Sequence, residues 1–183
     1  DNAQGHEEQS DDGSYEASAC SPPGSTAVFA AQHGDEIVEY LNDDETYIDF
    51  DSPLSFHGFM NRTVYSQIDP ELVMPESQRF FPDPKDPGRI DRKIEELGGV
   101  DICFGGIGIN GHLAFNEAQD ELTAEEFAQL PTRVLTISRE TRTSNAIGDL
   151  NGAIDAMPRK CVTIGIKQIL GARKLRLGVF RDW

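Results

Sequence analysis

The chain has 183 residues, 38% of them hydrophobic, which suits a single domain with a substantial core. Its 32 Asp and Glu stand against 16 Lys and Arg, and the net charge of -16 would repel a phosphate backbone or an anionic membrane. Nucleic acid is disfavoured as a partner, whereas a small anionic metabolite is not, because it feels its own pocket within roughly 8 to 10 Å of screening.

Residues 1–24, DNAQGHEEQSDDGSYEASACSPPG, are acidic, rich in Ser and Gly and nearly free of aliphatic side chains. Such a segment buries too little surface to offset its ordering entropy and is expected to be a disordered tail, with one domain over 25–183. AVFAAQ (27–32) reads as the start of a helix, and EIVEYL (36–41) as a strand that ends at the acidic cluster Asp43, Asp44, Glu45. After Ser52-Pro53, the spacing of Phe56, Phe59, Met60, Val64 and Ile68 predicts an amphipathic helix.

Pro70 to Pro87 is expected to be loop. Ile90, Ile94 and Leu97 then mark a helix closed by Gly98-Gly99, and Val100–Phe104 follows as a buried strand. Helix followed at once by apolar strand is the rhythm of a parallel sheet with crossover helices, and it recurs in CVTIG (161–165), IKQIL (166–170) and KLRLGVF (174–180). The class is therefore α/β, an open, doubly wound parallel sheet of Rossmann-like type. Thr123 and Glu126 are spaced as a capping box for a short helix through Leu130.

No apolar run approaches the roughly 20 residues that span a bilayer. The start at Asp1 lacks the pattern of a signal peptide and suggests a fragment. Of the three cysteines, Cys103 and Cys161 lie in strand-like apolar runs where a thiol packs as a small hydrophobe, which fits a reducing, cytoplasmic compartment.

The run GGIGINGHLAFNE (105–117) lies directly after the Val100–Phe104 strand, where open parallel sheets bind their ligands. Gly105, Gly106, Gly108 and Gly111 would let backbone N–H groups come close to a ligand. His112 and Glu117 would make a general acid–base pair if they meet. By residue type alone, a lone loop histidine is more often structural or solvated than catalytic. The spacing lacks both the dinucleotide fingerprint and the G-x-x-x-x-G-K-[ST] phosphate loop, so NAD and nucleoside triphosphates are disfavoured.

DICFGGIGINGHLAFNE resembles the signature of the glucosamine-6-phosphate deaminase/isomerase family, with its G-H-[IL]-A-F-N-E-P wall. LNDDETYIDFDSPLSFHGFM (41–60) is similar to the family's D-E-Y strand end and following helix. LTISRETRTSNA (135–146) and MPRKCVTIGIKQILGARKL after it are similar to its T-x-x-T-R-x-x-N segment and next strand and helix. The resemblance covers roughly residues 36 to 183. It implies opening of the glucosamine 6-phosphate ring, proton transfer from C2 to C1, and hydrolysis to fructose 6-phosphate and ammonia, with no cofactor or metal and in a homo-oligomer. By the same carry-over, Asp44 is the C2 base and His112 exchanges the ring-oxygen proton. Glu117 polarises His112, and Arg142 clamps the phosphate.

Three departures matter. Asn110 stands where many deaminating members carry Asp, which predicts a less basic imidazole. Thr46 is inserted within D-E-Y, and Ala118 replaces the usual Pro. The family's early [ST]-G-G-[ST]-P phosphate loop is reduced to Gly24-Ser25-Thr26, and the chain stops at Trp183, before a later phosphate-binding Lys. A missing first strand would leave unpaired backbone in the sheet. A non-catalytic sugar-phosphate-binding relic or fragment is one alternative. A 6-phosphogluconolactonase-like hydrolase is another, although that group typically follows G-H with T-A-S-L where this chain has Leu-Ala-Phe-Asn.

Overall fold

The computed structural model describes residues 37–179 and, before them, the backbone of one strand, Ala27–Phe29. The acidic stretch 1–24 and Gly24-Ser25-Thr26 lie outside the described residues. Among the described residues, six strands form two three-stranded sheets joined by helices.

The first sheet is parallel. β3 (Val100–Gly106) is its centre, with β1 (Ala27–Phe29) on one side and β6 (Lys174–Gly178) on the other. AVF is thus strand where helix was expected, because three apolar residues carry no period long enough to separate the two. The gap expected from a missing strand does not arise, since both sides of β3 are paired.

The second sheet is antiparallel, with β5 (Lys160–Thr163) between β2 (Val38–Leu41) and β4 (Arg133–Thr136). The α/β class with a parallel sheet and crossover helices holds, but CVTIG is not one of the parallel strands. An apolar run records only that a strand is covered on both faces, and Cys161, Val162 and Thr163 are each 0% exposed. Burial of each large aliphatic side chain contributes about 1.5–3 kcal/mol, so this central strand anchors the core.

α2 (Gly88–Glu96) buries Ile90 and Ile94 and ends where Gly98 and Gly99 take positive φ. α5 (Ile166–Leu170) buries Ile166 and Ile169. These four side chains, with Val100 and Cys103 of β3 and Cys161 of β5, form one continuous cluster. Cys103 and Cys161 are free thiols, both buried.

The amphipathic segment is helical but irregular: α1 (Phe56–Phe59) widens into a π turn at Met60–Val64 and tightens into a 3₁₀ turn at Tyr65–Gln67. Met60 and Tyr65 are buried, whereas Ile68 falls beyond the last turn and is exposed. The start of α1 is tied to β2 by a buried carboxylate. Glu39 accepts hydrogen bonds from Ser55 Oγ (2.8 Å) and from the backbone N–H groups of Tyr40 (2.8 Å), Phe56 (3.2 Å) and His57 (2.9 Å). Burial nevertheless pushes the Glu39 carboxyl above its usual pKa. The capping box of α3 (Ala124–Phe127) forms as expected, with Thr123 Oγ1 accepting from Glu126 N–H.

Candidate functional site

β3 runs two residues into the glycines. Gly105 and Gly106 are still paired with Leu177 and Gly178, so the turn proper begins at Ile107. It then closes tightly: Gly108 N–H donates to His112 O and Gly111 N–H donates to Gly108 O, both at 2.9 Å. Gly111 sits at φ +83°, a conformation that costs other L-residues. At Gly108 the requirement is space, because a Cβ there would lie 2.1 Å from His112 Cε1 and Nε2. The imidazole therefore folds back over bare backbone.

The stretch after His112 is pinned to the second sheet. Asn116 is 1% exposed and donates to Leu113 O (3.1 Å) and Ile164 O (2.9 Å), while its own oxygen accepts from Arg133 Nη1 (2.8 Å). Phe115 N–H donates to Thr163 Oγ1 at 3.1 Å. These contacts hold Ala114 at φ +55°, a left-handed conformation that the surrounding bonds must enforce.

Glu117 sits at the N-terminus of α4 (Arg139–Asp149). Its Oε1 accepts from Ser138 Oγ (2.6 Å), Asn110 Nδ2 (3.2 Å) and Thr141 Oγ1, and its Oε2 accepts from Ser138 N–H (3.3 Å). Partial burial alone would raise the carboxyl pKa; the bonds from Ser138, Thr141 and Asn110 outweigh it and hold the group below its usual range. The positive end of the helix dipole acts in the same direction.

Glu117 does not bond His112 directly. Asn110 stands between them, with Oδ1 2.5 Å from His112 Nδ1 and Nδ2 on the carboxylate. A carboxylate only accepts, so the amide must turn its NH2 toward Glu117 and its oxygen toward the ring. An amide oxygen likewise only accepts, so Nδ1 carries the imidazole proton and Nε2 is the basic nitrogen. Burial lowers the imidazole pKa, opposed by the Glu117 charge.

The other two candidate side chains lie apart from this network. Asp44 is exposed in the turn after β2, where Oδ1 accepts from Thr46 N–H (3.1 Å) and Thr46 Oγ1 (2.6 Å). The hydroxyl bond from Thr46, then its backbone bond, hold the Asp44 carboxyl below its usual pKa. Arg142, in the first turn of α4, donates through Nη2 to Ile154 O (2.9 Å) and Met157 O (3.1 Å), and its buried Nε has no hydrogen-bond partner among the described residues.

No family model matches the chain. It is 32% identical over 146 residues to a glucosamine-6-phosphate deaminase of Caenorhabditis elegans, covering 78% of this chain and 52% of that protein. It is 28% identical over 173 residues to glucosamine-6-phosphate deaminase 1 of Bacillus subtilis (strain 168), covering 88% and 66%. The solved structure of a monomeric glucosamine-6-phosphate deaminase, described as a missing link of the NagB superfamily, superposes with a TM-score of 0.61 at 31% identity, over 77% of this chain and 54% of that one. The chain belongs to the glucosamine-6-phosphate deaminase family. It spans about half the length of most of the curated relatives it matches.

Within this deaminase-family fold, sequence reasoning found His112, Asn110 and Glu117, which the structure brings together, and Asp44 and Arg142, which it leaves outside that hydrogen-bond network. It missed Ser138 and Thr141. Ser138 carried a legible signal, a hydroxyl residue before a helix, but a capping signal does not reveal that the cap also seats a carboxylate from another loop. It also missed Asn116, whose place in A-F-N-E gives no hint that it joins β4 and β5.

Proposed function

We propose that the protein acts on an amino-sugar phosphate, converting glucosamine 6-phosphate and water to fructose 6-phosphate and ammonia. The observation that carries this is the seating of His112, whose Nδ1 proton is tied to Asn110 while Nε2 remains for exchange with a substrate oxygen. Burial lowers the imidazole pKa and so favours the neutral ring, the form able to take a hydroxyl proton and return it to the ring oxygen as the ring opens. Asp44, held ionised by Thr46, is the base that moves the C2 proton to C1. Water then adds at C2 of the resulting imine and ammonia leaves. Arg142 has the fork of donors that suits a phosphate, and its Nε finds no acceptor among the described residues. Gly105, Gly106, Gly108 and Gly111 line the approach of the sugar.

Two coarser features belong to the same proposal. Buried, unpaired Cys103 and Cys161 favour a reducing compartment, the cytoplasm. A homo-oligomer follows from the family resemblance, although one solved relative is a monomer, and sedimentation of the purified chain decides between the two.

The test is ammonia release from glucosamine 6-phosphate by the 183-residue chain, with His112→Gln as the paired control. Release that the substitution abolishes supports a deaminase. Saturable binding without release, seen by calorimetry, would make the chain a sugar-phosphate-binding protein instead, and the absence of both would sink the proposal.

A further inference from the structure

Two threonines of α4 use their hydroxyls differently. Thr143 Oγ1 donates to Arg139 O at 2.7 Å, the bond to the i−4 carbonyl that a helical threonine ordinarily makes. Thr141 does not. Its hydroxyl reaches out of the helix to Glu117 Oε1 and lies 3.5 Å from His112 Nδ1, and the residue is 0% exposed.

We infer that Thr141 is a positioning residue: its hydroxyl pins the carboxylate that holds the Asn110 amide in the single orientation that keeps the imidazole proton on Nδ1 of His112. The chain of causes runs through one oxygen. Glu117 Oε1 receives three donors, from Ser138, Thr141 and Asn110. Ser138 also binds Oε2 through its backbone, so it fixes the carboxylate to the helix end. Thr141, like Asn110, is a donor placed between that carboxylate and the ring, with its oxygen 3.5 Å from Nδ1. Without its hydroxyl, Glu117 keeps its charge but loses a bond on the histidine side. The carboxylate is then free to rotate toward Ser138 and away from Asn110. An amide released from its acceptor can flip, and a flipped amide presents NH2 to Nδ1, which moves the proton to Nε2 and leaves the substrate side without its base.

The inference depends on the deaminase proposal only for its effect on rate, because the ring tautomer is measurable without turnover. The experiment labels histidine with ¹⁵N in the 183-residue chain and reads the two ring nitrogens of His112 by NMR, in the unaltered chain, Thr141→Val and Thr141→Ser. The expected result is Nδ1–H in the unaltered chain and in Thr141→Ser, with a clear rise of Nε2–H in Thr141→Val. In an active chain, Thr141→Val should lose roughly tenfold in kcat with KM little changed, the order expected for one hydrogen bond to a charged group, and Thr141→Ser should recover most of it. A folded Thr141→Val with an unchanged tautomer would overturn the inference, as would Nε2–H in the unaltered chain. Should the valine variant fail to fold, the Thr141 hydroxyl proton of the unaltered chain decides: slow exchange with water and a cross-relaxation signal to the His112 ring are expected, and a freely exchanging hydroxyl overturns it. If the chain releases no ammonia, the deaminase proposal fails while the tautomer measurement still stands.

Discussion

The His112 loop and the Asp44 turn carry the two proton-transfer groups of the proposed reaction, and they are built in opposite ways. The loop is over-determined: glycines at 108 and 111, the Asn116 bonds to Leu113 and Ile164, and the seat of Glu117 on α4 leave the imidazole one place to lie. The turn is held by little beyond itself, through Asp44 on Thr46, Asn42 on Thr46 and Tyr47, and one exposed ion pair from Lys160 to Glu45 at 2.8 Å. Ring opening needs a poised nitrogen in the free protein, whereas a C2 base need only be ionised and able to meet the substrate once it is bound. A rigid group and an adaptable one therefore suit the two steps.

The largest test of that contrast is Asp44→Asn. Loss of a general base should cut ammonia release roughly a hundred- to ten-thousand-fold, while the melting temperature stays put because the side chain is exposed. A large fall in melting temperature would show that the turn is structural and break the comparison. Next is Gly108→Ala, whose methyl group would occupy the space of the His112 ring. Displacement of the imidazole by about an ångström should cost roughly a hundredfold in kcat, and the His112 ring signals should move with it.

Asn110→Asp sharpens the comparison from the other side. A carboxylate against Nδ1 stabilises the imidazolium, so the limb of the pH–rate profile that reports His112 should move to higher pH. An unchanged profile would mean that the amide does not set the basicity of the ring. The smallest effect is expected at Glu39, which steadies the Asp44 side of the molecule by joining β2 to α1. Glu39→Gln presents an NH2 to a cluster of donors and should lower stability by about 1–3 kcal/mol at neutral pH. The sign with pH is distinctive: the folded pKa lies above the usual 4.5, so the stabilising contribution is full below 4.5 and is lost as pH rises through the folded value. The substitution should abolish that slope, as measured by urea melts across pH. The depressed Glu117 gives the reverse dependence, with stability present above its usual value and lost in acid.

Local chemistry wrote much of this protein into its sequence. Ile90 and Ile94 at helical spacing with Gly98-Gly99 behind them, the Thr123–Glu126 capping box, and the apolar run of β3 each depend on residues within a turn or two of one another. The G-H-L-A-F-N-E run was legible for the same reason, since the glycines and His112 that make the turn are contiguous. Tertiary structure decided what contiguity cannot carry. CVTIG is buried in either kind of sheet, and only its partners β2 and β4 make it antiparallel. Glu39 reads as the polar member of a strand until the start of α1 brings three donors to it, from Ser55, Phe56 and His57. Thr141 reads as one helical threonine among others until the fold carries Glu117 to the end of α4, because a hydroxyl's role is set by which acceptor the rest of the chain places within its reach.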